Sequence, residues 1–254
     1  MKKLLLVSFS FLLLSGCATY NAATDRNELI FISTSQEVGM GKSYHEQIAK
    51  SEKVISAGPE YERLNHIGQR VARISDRQDY PYHFFLIDKD DINAFTVPGG
   101  YIYFYTGLFR NLPNDDAIAA VLAHEIGHCA AKHVVKKFQA AQSYNWARNI
   151  FMDILSTKVP EATTARTIAS LGADGIVSLA MTAYSRQDEL EADRLGIKYL
   201  HLARYDINAM ITVFEVLQAK SPKDSTPLLL RSHPLTKTRI DAAKVEINKI
   251  KPNI

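Results

Sequence analysis

The chain has 254 residues, 46% of them hydrophobic and 22% charged, with a formal net charge of +3. That content is too apolar for a disordered chain and suits one domain with a sizeable core. Lys2 and Lys3 carry most of the excess charge, and no basic tract argues for nucleic acid or for an acidic lipid surface.

Met1-Lys2-Lys3 is a short basic start, and Leu4 to Leu14 is an apolar run shorter than a membrane span. Residues 1–16 therefore read as a signal peptide. Leu14-Ser15-Gly16-Cys17 fits the bacterial lipobox, which predicts cleavage before Cys17 and lipid on its thiol. A bare secretory signal and an uncleaved anchor are the weaker alternatives. Acyl chains anchor by burying methylenes, at roughly 0.8 kcal/mol each. Ala18 follows the cysteine, as in lipoproteins sent on to the outer membrane, so the expected location is the cell envelope, facing the periplasm. With Cys17 lipidated, Cys129 has no partner for an intramolecular disulfide.

Residues 17–34 read as a lipidated N-terminus and tether, polar from Thr19 to about Phe31, and residues 35–254 as one folded domain. Ser33 to Lys53 predicts a helix, with Ser33 and Gln36 as a capping box. Pro59 opens a second helix with Leu64, Ile67, Val71 and Ile74 on one face, and His66 on its surface. Tyr82 to Ile87, Ile92 to Val97 and Tyr101 to Tyr105 predict strands, the last two around Pro98-Gly99-Gly100. Asn93, Ala94 and Phe95 would lie on a sheet edge, whose free N–H and C=O groups suit an extended peptide.

Asn114 caps a helix expected from about Asp115 to about Ala141, and it carries His124-Glu125-Ile126-Gly127-His128. Residues four apart are offset by only about 40° on a helix, so His124 and His128 aim at one point with Glu125 on the same rim. Two neutral imidazoles and an adjacent carboxylate suit one zinc ion holding a water, with Glu125 as its base. Catalytic zinc needs a third protein ligand. His133 is one residue out of register for the HExxHxxGxxH pattern. On a continuous helix it lies about 140° round from His128, which makes it structural or a surface residue.

Phe138 to about Thr157 continues helical until Pro160. Thr163 to Ala183 is apolar but holds Gly172, Asp174 and Gly175, which predicts a packed helix or helix pair, with a lid over a cleft as an open alternative. In the helix after Ser185, Glu189 and Asp193 share a face and Glu191 points about 200° away from Glu189. Glu189 would bind the metal and Asp193 would fix the tautomer of a ligating histidine. Gly196 would let two helices approach closely. Asp206 or Asn208 caps a further helix ending near Lys220, and Ser232-His233-Pro234 starts the last one.

The run from His124 to His133, Ser185-Arg186 with Glu189 and Asp193, and His233-Pro234 with Arg239-Ile240 resembles the gluzincin family of the CAAX prenyl protease and the heat-shock protease HtpX. Asn93-Ala94-Phe95 with Pro98-Gly99-Gly100 resembles the same family. The likeness spans about Ser35 to Ile240 and is nearest to periplasmic lipoprotein members. The several membrane spans of some members are not matched here, nor is the C-terminal repeat domain of others. It implies a mainly helical α+β, zincin-like metalloprotease domain with a small sheet beside the zinc helix. It also implies that His233 and Arg239 form a polar pair reaching the cleft. There His233 would steady an oxyanion or bind zinc in a resting state.

The expected reaction is zinc-dependent hydrolysis of peptide bonds in unfolded or misassembled envelope proteins. The rivals are a lipoprotein that binds clients without cutting them, and a purely structural zinc site with four protein ligands.

Overall fold

The computed structural model describes residues 18–155, 172–221 and 226–250. The expected signal peptide, Cys17 and most of the apolar stretch before Ala173 lie outside them. Ten helices and six strands occur among the described residues, so the fold is α+β and mainly helical, as the sequence predicts.

A hairpin comes first, with β1 (Ala18–Asn21) paired antiparallel to β2 (Arg26–Leu29). The polar composition had suggested a loose tether here. Instead the hairpin is pinned from outside. Arg26 reaches Glu191 at 2.7 Å, Lys136 reaches Glu28 at 2.7 Å, and Gln139 donates to Leu29 O at 3.0 Å. Helix α1 (Thr34–Ser51) follows with the Ser33–Gln36 capping box in place. Next come β3 (Val54–Ile55) and α2 (Pro59–Ala72), which buries Leu64, Ile67 and Val71 and leaves His66 exposed.

Strands β4 (His83–Ile87), β5 (Ala94–Val97) and β6 (Tyr101–Tyr105) join β3 in one sheet of order β3-β4-β6-β5. β4 and β6 are parallel, and β5 lies antiparallel to β6 at the edge. The turn into β6 uses Gly99 and Gly100, both at φ 78°, a region that only glycine enters at little cost. Arg77 ties this turn to the helices. Its fork holds buried Glu37 at 2.6 Å and donates to Cys129 O at 3.1 Å, while Glu37 accepts from Gly99 N at 3.3 Å.

Helix α3 (Thr106–Asn111) leads into α4 (Asp115–Ala130), the central helix, buried from Ala117 to Ala130. The single helix expected to run to Ala141 is two. Lys132 sits at φ 59°, breaks the run and turns α5 (His133–Leu155) away. A left-handed non-glycine residue costs roughly 1–2 kcal/mol, so tertiary contacts must hold it there.

After α6 (Ala173–Ala180), α7 (Arg186–Leu202) packs along α4, with Ser185 and Asp188 forming a capping box. Helix α8 (Ala209–Ala219) has Asn208 at its N-cap position without a side-chain capping bond. Ser232-His233-Pro234 does not start the last helix. Ser232 ends the short α9 (Leu228–Ser232), His233 is its C-cap, and α10 (Lys237–Ile250) begins later. No helix among the described residues is long and apolar enough to cross a membrane.

The contact of α4 with α7 depends on glycines. A Cβ on Gly127 would stand 2.9 Å from Ala192 O, and one on Gly196 would stand 3.2 Å from His124 N. Backbone cannot yield as a side chain can. Gly127→Ala is therefore expected to cost about 1–3 kcal/mol and to weaken metal retention, read by thermal melts and metal analysis. Gly39→Ala, on an exposed face of α1 with nothing within 4 Å, is the control. It should gain about 0.5–1 kcal/mol from helix propensity.

Candidate metal centre

Helix periodicity brings His124 and His128 to one face of α4, and their Nε2 atoms are 3.1 Å apart. Across the glycine contact, α7 delivers Glu189, with Oε1 3.3 Å from His128 Nε2. From the turn after α9, His233 sets its Nδ1 2.9 Å from Glu189 Oε1 and 3.2 Å from His124 Nε2. One donor atom from each of His124, His128, Glu189 and His233 lies within 4.8 Å of the others, and all four residues are buried.

This donor set fits a cation. Lone-pair atoms crowd together in a buried space, and Glu125 Oε1 has no hydrogen-bond partner. Burial presses His128 well below the usual imidazole range, toward the neutral form a metal requires. Burial also opposes charge on His124, but Asp193 and Glu189 outweigh it and raise that group. Burial would raise Glu189 too, yet His233 and the other imidazoles hold it well below the ordinary carboxylate range.

The surrounding residues fix these groups. His124 Nδ1 lies 2.9 Å from Asp193 Oδ1. Arg239 is buried and forked onto Asp193, with Nε and Nη2 each 2.8 Å from a carboxylate oxygen, and Nη1 pairs with Glu189. Its remaining side-chain hydrogen bonds go to the carbonyls of His233 and Pro234. The donors of Arg239 are thus taken up by the protein itself, and its guanidinium holds the two carboxylates in place.

Glu125 is buried, with Oε2 accepting from Thr96 Oγ1 at 2.7 Å. Thr96 shares a face of β5 with Ala94, and strand alternation is the one sequence signal for it. Asn93, Ala94 and Phe95 are all buried, and the Phe95 ring stacks on Tyr103 at 4.9 Å. Their side chains belong to the core, so an edge there offers backbone only.

Two neighbours escaped the sequence reading. Tyr184 stacks on His128 with ring centroids 3.9 Å apart. His133, expected on the wrong face, is buried with its Nδ1 3.0 Å from His128 Nδ1. The helix break at Lys132 swings it there, and Glu191 lies beyond it. A small, mostly apolar cavity of about 30 Å³, walled by Val121, Val213, Leu217 and Leu230, opens on Glu125 and His233.

A buried His-His-Glu set beside a further buried glutamate, on a mainly helical domain with a small sheet, defines a metallopeptidase domain. The chain belongs to peptidase family M48, whose family model matches residues 60–247. It is 31% identical to the beta-barrel assembly-enhancing protease of Escherichia coli (strain K12) over 227 residues, 88% of this chain and 46% of that protein. The protein of that name from Yersinia pestis is 31% identical over 228 residues, 87% of this chain and 46% of its own. Mitochondrial metalloendopeptidase OMA1 of Schizosaccharomyces pombe is 28% identical over 184 residues, 70% of this chain and 50% of its own. The chain thus spans about half the length of these relatives.

Lys137 supports the Tyr184 wall. Its Nζ lies 3.2 Å from that ring's centroid and donates to Thr182 O at 2.8 Å. Burial pulls its pKa down to about 7. An unfolded lysine holds its proton to much higher pH, so the native state is penalised in full below about pH 7, and the penalty fades as pH rises. Denaturant melts should therefore show wild type gaining about 1–2 kcal/mol on Lys137→Gln between pH 7 and pH 9, allowing for partial exposure.

Proposed function

We propose that this chain is a zinc-dependent endopeptidase of the cell envelope, acting on unfolded or misassembled polypeptides. The observation that carries this reading is Glu125, whose Oε2 is tethered by Thr96 while its Oε1 has no hydrogen-bond partner and lies 3.5 Å from His233 Nε2 of the donor cluster. A carboxylate held by one oxygen and bare at the other is arranged to take a proton. His124, His128 and Glu189 would hold one zinc ion, which when bound supplies Lewis-acid polarisation of a carbonyl and of water.

Glu125 accepts the proton of the attacking water at its free oxygen and returns it to the leaving amine. Asp193 and Arg239 keep His124 and Glu189 in place while this occurs. The outer backbone edge of β5 beside Ala94 and Phe95 suits an extended polypeptide and reads no particular sequence, whereas Asn93 precedes the strand and its carbonyl accepts from Tyr105 N at 2.9 Å. The apolar cavity beside Glu125 suits a small hydrophobic substrate side chain, of the kind an unfolded protein exposes. His233 is placed to face the reacting carbonyl or to close the metal site at rest. The four-donor cluster supports that closed form, and a purely structural site would need it.

The name of the Escherichia coli relative pairs proteolysis with beta-barrel assembly, which favours envelope proteins as substrates here and the periplasmic relatives over the CAAX branch. The run ending in Cys17 supports a lipid anchor, and the family match over residues 60–247 supports 35–254 as the catalytic domain. Mass spectrometry of the mature N-terminus should find an acylated cysteine, and an unmodified start elsewhere would remove the anchor from the proposal.

Glu125→Gln should keep its metal and lower kcat on an unfolded test protein by about 10²- to 10⁴-fold, since it removes the base and preserves shape. Glu189→Ala should lose metal. His233→Ala should retain metal but cleave more slowly if the site is catalytic, whereas a structural site would lose its metal with this fourth donor. Absence of chelator-sensitive cleavage in wild type, with wild type and Glu125→Gln rescuing a deletion strain equally, would favour a non-cleaving assembly factor.

A further inference from the structure

We propose that His133 is a positioning residue that sets the tautomer of His128, and that the N-terminal hairpin holds His133 to this task through Glu191 and Arg26. The proposal rests on the metallopeptidase reading of the site.

The connected atoms run outward from the cluster. His128 Nδ1 is 3.0 Å from His133 Nδ1, His133 Nε2 is 3.1 Å from Glu191 Oε2, and Arg26 Nη2 is 2.7 Å from that same oxygen. Only one arrangement of protons satisfies all three contacts with neutral imidazoles. A guanidinium only donates and a carboxylate only accepts, so the far end is fixed. His133 Nε2 must then carry the hydrogen and give it to Glu191. That leaves His133 Nδ1 with a lone pair, which accepts from His128 Nδ1–H. His128 Nε2 is in turn left bare and faces His124, Glu189 and the cluster. The acidic end, Glu191 with Asp188 Oδ1 3.3 Å from the same His133 Nε2, thus dictates, two rings away, that His128 presents a lone pair to a metal. Asp193 plays the shorter version of this part for His124, whose Nδ1 it meets at 2.9 Å.

The backbone is bent to make the contact. Without the break at Lys132, helical spacing would carry His133 to the far side from His128. The left-handed Lys132 is the strained residue that allows the approach. The outer end is secured separately. Lys136 holds Glu28 of the hairpin at 2.7 Å, and Arg194 donates to Ala23 O at 3.2 Å. His133 is buried, whereas the Arg26 side chain is 43% exposed, so the relay links the surface hairpin to the buried cluster.

The test is zinc affinity of the full chain by chelator competition, with thermal melts of the metal-free proteins as the control for folding. His133→Phe keeps a ring and most of the volume but has no acceptor. His133→Asn loses volume but keeps an acceptor where Nδ1 stood, and it cannot reach Glu191. We expect about a ten- to hundredfold loss of zinc affinity in His133→Phe and near wild-type affinity in His133→Asn. A merely space-filling histidine would give the opposite order. Arg26→Ala should weaken zinc about two- to fivefold in wild type, as befits one exposed ion pair, and have no effect in His133→Asn, where the relay is cut. Wild-type affinity in His133→Phe, or an Arg26→Ala loss that persists in His133→Asn, would overturn the proposal. Should His133→Phe not fold, the Arg26 comparison decides alone. Because the readout is binding, a chain that holds zinc with this dependence yet cleaves nothing would refute the peptidase reading and leave the relay standing.

Discussion

Two helices approach backbone to backbone where one of them lacks a side chain at the contact, and α4 and α7 do so with Gly127 against Ala192 and Gly196 against His124. That approach sets the distance between the histidines of one helix and the carboxylates of the other. Widened by a methyl group, the gap would separate Glu189 from His128 and Asp193 from His124 together. The rest of the domain braces this pair. The sheet presses Thr96 against Glu125, and α10 sends Arg239 back to neutralise the two acids that α7 carries inward. Burying two carboxylates without that guanidinium would cost several kcal/mol, and breaking such a pair by removing one partner typically costs about 3–5 kcal/mol.

The centre of the site was legible because it lies within two helices, where spacing in sequence is angle in space. His124, Glu125 and His128, and then Glu189 with Asp193, needed only a 3.6-residue period and a wish for three ligands. The strands were legible from aromatic runs between turn residues. Gly99 and Gly100 marked the entry to β6 because their backbone angles exclude other residues.

What escaped the sequence is what tertiary contacts decide. Ala131-Lys132 contains no glycine or proline, so nothing local announced the break that brings His133 inward. Pro234 reads equally well as the residue after one helix or the opening of the next, and here it follows α9. Of the hairpin strands only β1 alternates apolar and polar residues, and its apolar positions Ala18 and Tyr20 are exposed. The order of the hairpin comes from ion pairs to α5 and α7, and a pair more than a hundred residues apart leaves no local trace. Tyr184 stacks on His128 from the stretch just before α7, and only the folded chain brings the two rings together.

Cys129 sits next to His128 in α4, buried, with its thiol pushed up to about 12 by desolvation. Alkylating reagents react with the thiolate, so native Cys129 should be almost silent toward them. Where Cys17 is blocked by lipid, any labelling would report the opening of the central helix. The rate of that labelling would then serve as a clock for the buried heart of the domain, set one residue from the metal face and requiring no added probe.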